Sequence, residues 1–549
     1  MKQTLYLVIC LFAMLSLQAQ DRWDSAIPLS DEYVITGATV YVTPTDVRQD
    51  VNLWIADGKV KQIGNFTIPL AAEVIEADSM YIYPGFILGA SHAAIPKPKD
   101  DKPDRPSRPG TPTDAQAGIT PEKSAVDQLS GKSGDIEGLR KQGFTLAHTV
   151  PHGKSFPGQG AVILLGSNPE GKDELPITSQ VLKQKHSLYS TLRGSGRMYP
   201  STVIGVMAKW RELYRGAELA HQHEELYARD KSVDRPSYAH SFTALYPVIS
   251  GKQDVYFATG NALAARRVAA LQEELGFALV MTDVTETWDI MSLLDEPFLL
   301  SLDLPKEPAE SKDKKMTDEM KMHHDRQMKS YHMYLNQADT LAHAGKKYGF
   351  SQGEAKTTDL MKNIKMMVAE GLSEVEALTA LTTTPADLLD VSDVTGSLRT
   401  GMMANLIISN EPIFTEKSKL RYVFVEGTMY EYNKAKKSDA KVNGDVASVL
   451  GSWSYTADVP GETITGVVTI VDNDGTLGGT MVSDQDGETT ELESVGLEDD
   501  ELTIGFVMEQ EGFDMPMSIT VTIDGDTFTG TVSAGQFGEF PFSGQKIPE

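Results

Sequence analysis

The sequence predicts an α/β protein organised around a parallel barrel, followed by a small all-β domain. Between about residues 134 and 389, short apolar strands alternate with helical stretches. That alternation is the grammar of parallel α/β folds, and this many units make a barrel the leading choice. Beyond residue 450 short strands separated by Asp-Gly turns take over, which fits a small barrel or sandwich. With 549 residues the chain is too long for one core, so two or three domains are expected.

Charge is unevenly placed. The formal net charge is −27, and the stretch Gly451 to Glu549 holds 20 acidic residues against one basic residue, Lys546, so −19 belongs to the last fifth. This balance argues against nucleic acid and anionic membrane surfaces as partners. The first 20 residues have a short positive start, an apolar run from Leu5 to Leu17 and the stretch Gln18-Ala19-Gln20. They read as a secretory signal peptide and predict an exported protein, periplasmic or extracellular, with no membrane contact after processing. A retained anchor is the alternative. The only cysteine, Cys10, lies inside that apolar run. Its removal would leave no disulfide, no thiolate nucleophile and no Cys-ligated zinc.

Taken in order, Glu32 to Ile82 reads as short strands and turns, with Asp57-Gly58 between Leu53-Ile55 and Val60-Ile63 as a hairpin. A Pro- and charge-rich insertion, residues 94–124, reads as a mobile surface loop. Asp135 to Gln142 reads as a helix stopped by Gly143, then a strand Phe144 to Val150, a Gly-rich loop and a second strand Ala161 to Leu165. The stretch from about Val206 to Asp230 is helical. Strand Asp254-Val255-Tyr256-Phe257 precedes a helix Ala262 to Leu275 ended by Gly276, and strand Phe277 to Met281 follows. His323, His324 and His332 fall in a charged, Met-rich stretch, where a solvated helix face is the expected reading. His221 and His223 sit two residues apart on a helix and point away from each other. Gly396 and Gly401 bracket a turn before the apolar strand Leu406-Ile407-Ile408.

Several of these stretches resemble the amidohydrolase superfamily. Tyr83-Pro84-Gly85-Phe86-Ile87-Leu88-Gly89-Ala90-Ser91-His92 is similar to its entry into strand one, PGFID-x-H-x-H. Gly158-Gln159-Gly160-Ala161-Val162-Ile163 resembles the imidazolonepropionase-like branch. Thr384-Pro385-Ala386, Gly396-Ser397-Leu398 and Ala404-Asn405-Leu406-Ile407 are similar to the family's closing NPA, GSL and ADLV segments. The resemblance implies a TIM-like (β/α)8 barrel at 84–394 and a composite β-sandwich domain from 21–83 and 395–433. A Lys-rich linker at 434–446 and the acidic all-β domain at 447–549 complete the layout.

The family's reaction uses a divalent metal to make a nucleophile from water and polarise a carbonyl. Where the resemblance puts its ligands, this chain has Ala90 for the first histidine of strand one, with His92 retained, then Ala258, Asp283 and Gly353. Methyl groups and hydrogens do not coordinate metal, and one histidine with one carboxylate falls short of three protein ligands. His148, His152 and Glu354 lie near strand ends and are the available replacements. The expectation is therefore a hydrolytically impaired relative with no metal cofactor, acting as a small-molecule binder or as a subunit of a related active amidohydrolase. The alternative is an active hydrolase of cyclic amides with one divalent metal (zinc) at a site rebuilt around His92 and Asp283, or metal-free acid–base catalysis. Asp283 and Glu354 are the candidate catalytic residues and His92 the candidate ligand. The acidic domain has no histidine, and a structural or interaction role is expected of it.

Overall fold

The computed structural model describes residues 32–98, 108–130, 135–166, 180–309 and 317–432, and most of 442–547. The expected signal peptide lies outside the described residues. The chain divides into two compact units, Met1–Tyr432 and Asn433–Glu549.

The first unit opens with β1 (Tyr33–Tyr41), β2 (Val47–Ala56), β3 (Lys59–Gly64), β4 (Glu73–Glu76) and β5 (Tyr81–Pro84). β2 and β3 form the expected hairpin. Asp57 and Gly58 both have positive φ, the turn geometry that matches strand twist and favours Asp-Gly. β6 (Phe86–Ser91) leaves this sheet after Pro84-Gly85 and starts a second one with β7 (Phe144–Thr149), β8 (Gly158–Leu164), β9 (Val181–Thr191), β10 (Asp254–Ala258), β11 (Leu279–Thr282), β12 (Phe298–Ser301) and β13 (Tyr348–Ser351). Finally β14 (Leu406–Ser409), β15 (Leu420–Val425) and β16 (Thr428–Glu431) return to the first sheet, where β14 pairs antiparallel with β5. Both flanks thus build one eight-stranded sheet, in the order β16-β15-β14-β5-β1-β2-β3 with β4 also on β1.

The order of the second sheet is β11-β10-β9-β8-β7-β6-β13-β12, and a parallel bridge between Val284 and Leu300 ties its two ends together. The sheet is barrel-like. It departs from an eight-fold β/α repeat in one place, because β8 runs antiparallel to both β7 and β9. The physical reason is local. Only Val150 to Pro157 separates β7 from β8, and a crossover to a parallel neighbour needs a dozen or more residues. Every residue of β6, β7, β8, β12 and β13 is buried, as expected for strands covered on both faces.

Helices flank these strands. α1 (Asp135–Lys141) precedes β7, and α2 (Val203–Arg229) is capped by the Thr202 hydroxyl and buries Val206, Trp210, Leu213, Tyr214, Ala217 and Ala220 along one stripe. α3 (Ala262–Leu275) starts at Asn261, whose side chain accepts from the Ala264 N–H, and stops at Gly276 in the left-handed region. α4 (Asp318–His343), α5 (Leu360–Ala369) and α6 (Glu374–Leu381) complete the unit's longer helices.

The 94–124 insertion corrects the expectation of a mobile surface loop over its described part. Thr113 and Gln116 form a capping box on the short helix Asp114–Ala117, Ala117 and Ile119 are buried, and Ile119 bridges to Phe156. Ala117 and Ile119 join Phe156 and Trp210 in one apolar cluster, so a few apolar residues anchor a segment whose composition is otherwise polar.

In the second unit the long strands form a meander from Gly451–Val459 to Glu539–Lys546, and these two pair with each other antiparallel. Trp453, Tyr455, Phe528 and Phe542 stack at the centre of its own core. Val442–Asn443 pairs with Ser494–Glu498, so this sheet begins inside the segment expected to be linker.

Candidate functional site at the barrel mouth

The parallel strands of the barrel all end on one side, and the residues just past those ends line a cavity of about 950 Å³. His92 follows β6, Tyr189 and Arg193 come from β9 and its exit, Asp283 follows β11, Asp303 follows β12, and Glu354 follows β13. This is the C-terminal mouth, where barrel enzymes keep their chemistry.

His92 is held on three sides. Its Nδ1 donates to the Val150 carbonyl at 2.7 Å, which leaves Nε2 as the acceptor of the neutral ring. The His152 ring stacks on it with centroids 3.8 Å apart, and Tyr189 meets it edge-on at 6.3 Å. Burial, and then His152, lower its pKa to about 4, so the ring is neutral at pH 7. Burial lowers His152 below the usual histidine range as well.

Asp283 shows the opposite shift. It has positive φ, its backbone N–H donates to Ser351 Oγ at 3.2 Å, and its carboxyl is pushed up to about 6. Burial is the main cause. Glu354 and Asp303 add to it, while hydrogen bonds from Ser351 and the Gly353 backbone oppose it. Asp303 is raised by burial and by Glu354, and Glu354 pairs with Arg193 at 3.6 Å. Arg267, Lys97 and Asp135 also line the cavity. The mouth therefore offers cations and carboxylates together, beside a neutral imidazole.

The donor set does not fit the family's metal. No group of three or more His, Cys, Asp or Glu among the described residues is arranged to hold a metal ion. Ala90 is buried two residues before His92 on β6, and Ala258 lines the cavity with a methyl group. At position 353 the mismatch is steric as well as chemical. Gly353 has φ +60°, and a Cβ there would lie 2.5 Å from Ser301 Oγ and 3.2 Å from Asp303 Cβ, so this backbone cannot carry the aspartate expected from the resemblance without moving.

Of the replacement donors, His152 and Glu354 reach the cavity and His148 does not. His148 lies fully buried within β7, with Nδ1 donating to the Gly89 carbonyl at 3.0 Å. Its Nε2 meets Ser187 Oγ at 2.8 Å, and burial, then His186, bring its pKa to about 3. Both nitrogens are used, and Gly160 makes room for the ring, since a Cβ there would stand 2.4 Å from Nε2. His148 is a core residue.

The other histidines stay apart from the mouth. His332 Nδ1 meets Glu370 Oε1 at 2.8 Å, His323 is exposed on α4, and His221 and His223 contact Tyr246 and Tyr238 respectively.

The comparisons agree with the fold. The family model "Amidohydrolase family" matches residues 315–430, which run from α4 through β13 to the returning strands β14 to β16. Among solved structures it is similar to an amidohydrolase from Thermotoga maritima MSB8, at 19% identity and a TM-score of 0.60, over 73% of this chain and 100% of that one. It is also similar to a putative prolidase from Bifidobacterium longum, at 15% identity and a TM-score of 0.44, over 73% and 95% of the two chains. A β-aspartyl dipeptidase from Fervidobacterium islandicum AW-1 gives 12% identity and a TM-score of 0.40, over 73% and 96%. No curated protein matches the chain. At these identities the likeness concerns the fold.

Sequence reasoning reached His92, His152, Asp283 and Glu354. It missed Tyr189, Arg193, Arg267 and Asp303. Asp303 had a signal: it stands two residues beyond the apolar run Phe298-Leu299-Leu300-Ser301, the position a strand-end ligand takes in a barrel. Tyr189 and Arg193 had little, because β9 carries polar residues over its first half and does not read as a buried strand.

Proposed function

We propose that this protein is an exported, hydrolytically impaired amidohydrolase whose barrel mouth binds a small polar molecule and holds no catalytic metal. The supporting observation is Gly353, where backbone conformation and Ser301 together block the carboxylate that a metal site would need. The mouth keeps a ligand-sized cavity, with Arg193 and Arg267 for anionic groups and Asp283, Asp303 and Glu354 for cationic or hydrogen-bonding ones. The apolar amino-terminal segment supports export. Service as a subunit beside a catalytically intact relative is compatible with the same retained fold.

Elemental analysis of the mature protein, purified and dialysed without chelator, tests the proposal. Zinc, iron, manganese and nickel each well below one per chain is the expected result. A stoichiometric metal that disappears in His92→Ala would overturn the proposal.

One observation favours a second reading, hydrolysis by acid–base chemistry at the same mouth. Asp283 is held near pKa 6 while His92 is held neutral, with Nε2 available as a base. Two titratable groups whose surroundings push them apart are the usual basis for assigning an acid and a base. Metal-independent turnover of cyclic amides, lost in both Asp283→Asn and His92→Ala, would establish that reading.

A further inference from the structure

The amino-terminal half of α4 (Asp318–His343) lies outside the core, since the helix buries no residue before Tyr331. That half carries Met320, Met322, His323, His324 and Met328, and His332 follows directly. Residues four apart share one face of a helix, with Cβ atoms about 6 Å from each other. His324, Met328 and His332 therefore stand in line at i, i+4 and i+8. Met322 and His323 are rotated off that line by about 100–200°. From Asp318 to Ser330 only His324 and Met328 are half-buried, and every other residue is exposed. The line they define is thus the side of the helix turned toward the protein.

His332 is held as a metal ligand would be. Its Nδ1 donates to Glu370 Oε1 at 2.8 Å, which leaves Nε2 free, and half of its side chain is exposed. Metal-binding imidazoles almost always give their other N–H to a carboxylate or carbonyl, which fixes the ring and strengthens it as a donor. Side chains on a helix lean toward its amino-terminus, so His332 leans toward Met328 and Met328 toward His324. Neither His324 nor Met328 has a hydrogen bond or ion pair among the described residues. The cations nearby are turned elsewhere. Lys321 pairs with Asp318 at 3.8 Å, Arg326 donates to the Met322 carbonyl at 3.1 Å, and Lys329 stands about 100° round the helix from Met328.

We propose that this stripe is a binding site for one Cu(I) ion, held by the His324 imidazole, Met328 Sδ and His332 Nε2. Thioether sulfur is a soft donor and imidazole suits copper, whereas calcium, magnesium and manganese call for oxygen donors. Glu370 supplies the carboxylate that orients His332. None of the three ligands lines the mouth, and the site does not rest on the function proposed there.

The test is anaerobic titration of the full chain with Cu(I) in competition with bicinchoninate. One Cu(I) per chain is expected, with affinity at least tenfold lower in Met328→Leu, in His324→Ala and in His332→Ala. His92→Ala, which alters the mouth, should leave that affinity unchanged. Met328→Leu keeps side-chain volume and helix propensity, so without metal it should melt with the parent protein, and its lost affinity then reports the sulfur. Equimolar Zn(II) should not displace the copper. Absence of Cu(I) binding, undiminished binding in any of the three ligand variants, loss of binding in His92→Ala, or displacement by equimolar Zn(II) would each overturn the proposal.

Discussion

At the scale of single residues, the mouth is set by burial acting in opposite directions on an acid and a base. Desolvation disfavours the charged form of either group, which raises a carboxyl and lowers an imidazole. For Asp283 the folded pKa of about 6 stands above the ordinary 3.8, so the fold holds its proton where the unfolded chain has released it. Stability from this group is therefore present at low pH and is lost as pH rises through about 6. Asp283→Asn makes the neutral state permanent. Its benefit should be about 1–2 kcal/mol at pH 8, a discount on the full shift because the residue is only partly buried, and close to zero at pH 4. Denaturant unfolding at the two pH values measures it; an equal effect at both would show that the charge is not the cause. His92 and His148 act on the other side. Their folded values of about 4 and about 3 lie below the ordinary 6.5, so they withdraw stability as pH falls below about 6.5.

At the scale of elements, the strand ends decide which side chains meet. β13 ends in a backbone with left-handed Gly353, packed against Ser301 at the end of β12. A side chain at position 353 is thus disfavoured by the strand exit itself. Gly353→Asp should destabilise the first unit by about 1–3 kcal/mol through strain and overpacking and should bind no metal. Thermal melting with elemental analysis tests both parts, and an unchanged melting temperature with a bound metal would contradict this account. Elements with strong local signals were legible from the residues alone, as with α3 between Asn261 and Gly276 and the β2–β3 hairpin across Asp57-Gly58. β9 was not, because its burial comes from neighbours that arrive from distant parts of the chain, β8 on one side and β10 on the other.

At the scale of the whole molecule, two compact units share one chain. The core of the second unit is drawn entirely from residues Val449 to Phe542, and that unit holds most of the chain's negative charge. Like-charge repulsion works against a compact state and is screened by salt. Two thermal transitions are expected, and the one belonging to the second unit should rise by several degrees between low salt and 0.3 M NaCl while the other moves less. A single transition, or two that respond equally, would show that charge does not limit the second unit. Differential scanning calorimetry separates these outcomes.

The amino-acid order alone determined the resemblance to amidohydrolases, the alternation of strands and helices, the all-β character of the acidic region and the absence of ligand-forming side chains at positions 90, 258 and 353. These depend on local pattern and residue chemistry, which each stretch of chain carries by itself. Tertiary structure alone decided that β8 runs against its neighbours and that His148 is a core residue while His92 and His152 stack at the mouth. It also decided that Asp303, Tyr189 and Arg193 join Asp283 and Glu354 there. Each of these is a relation between residues far apart in the chain, and direction and burial exist only once those residues are brought together.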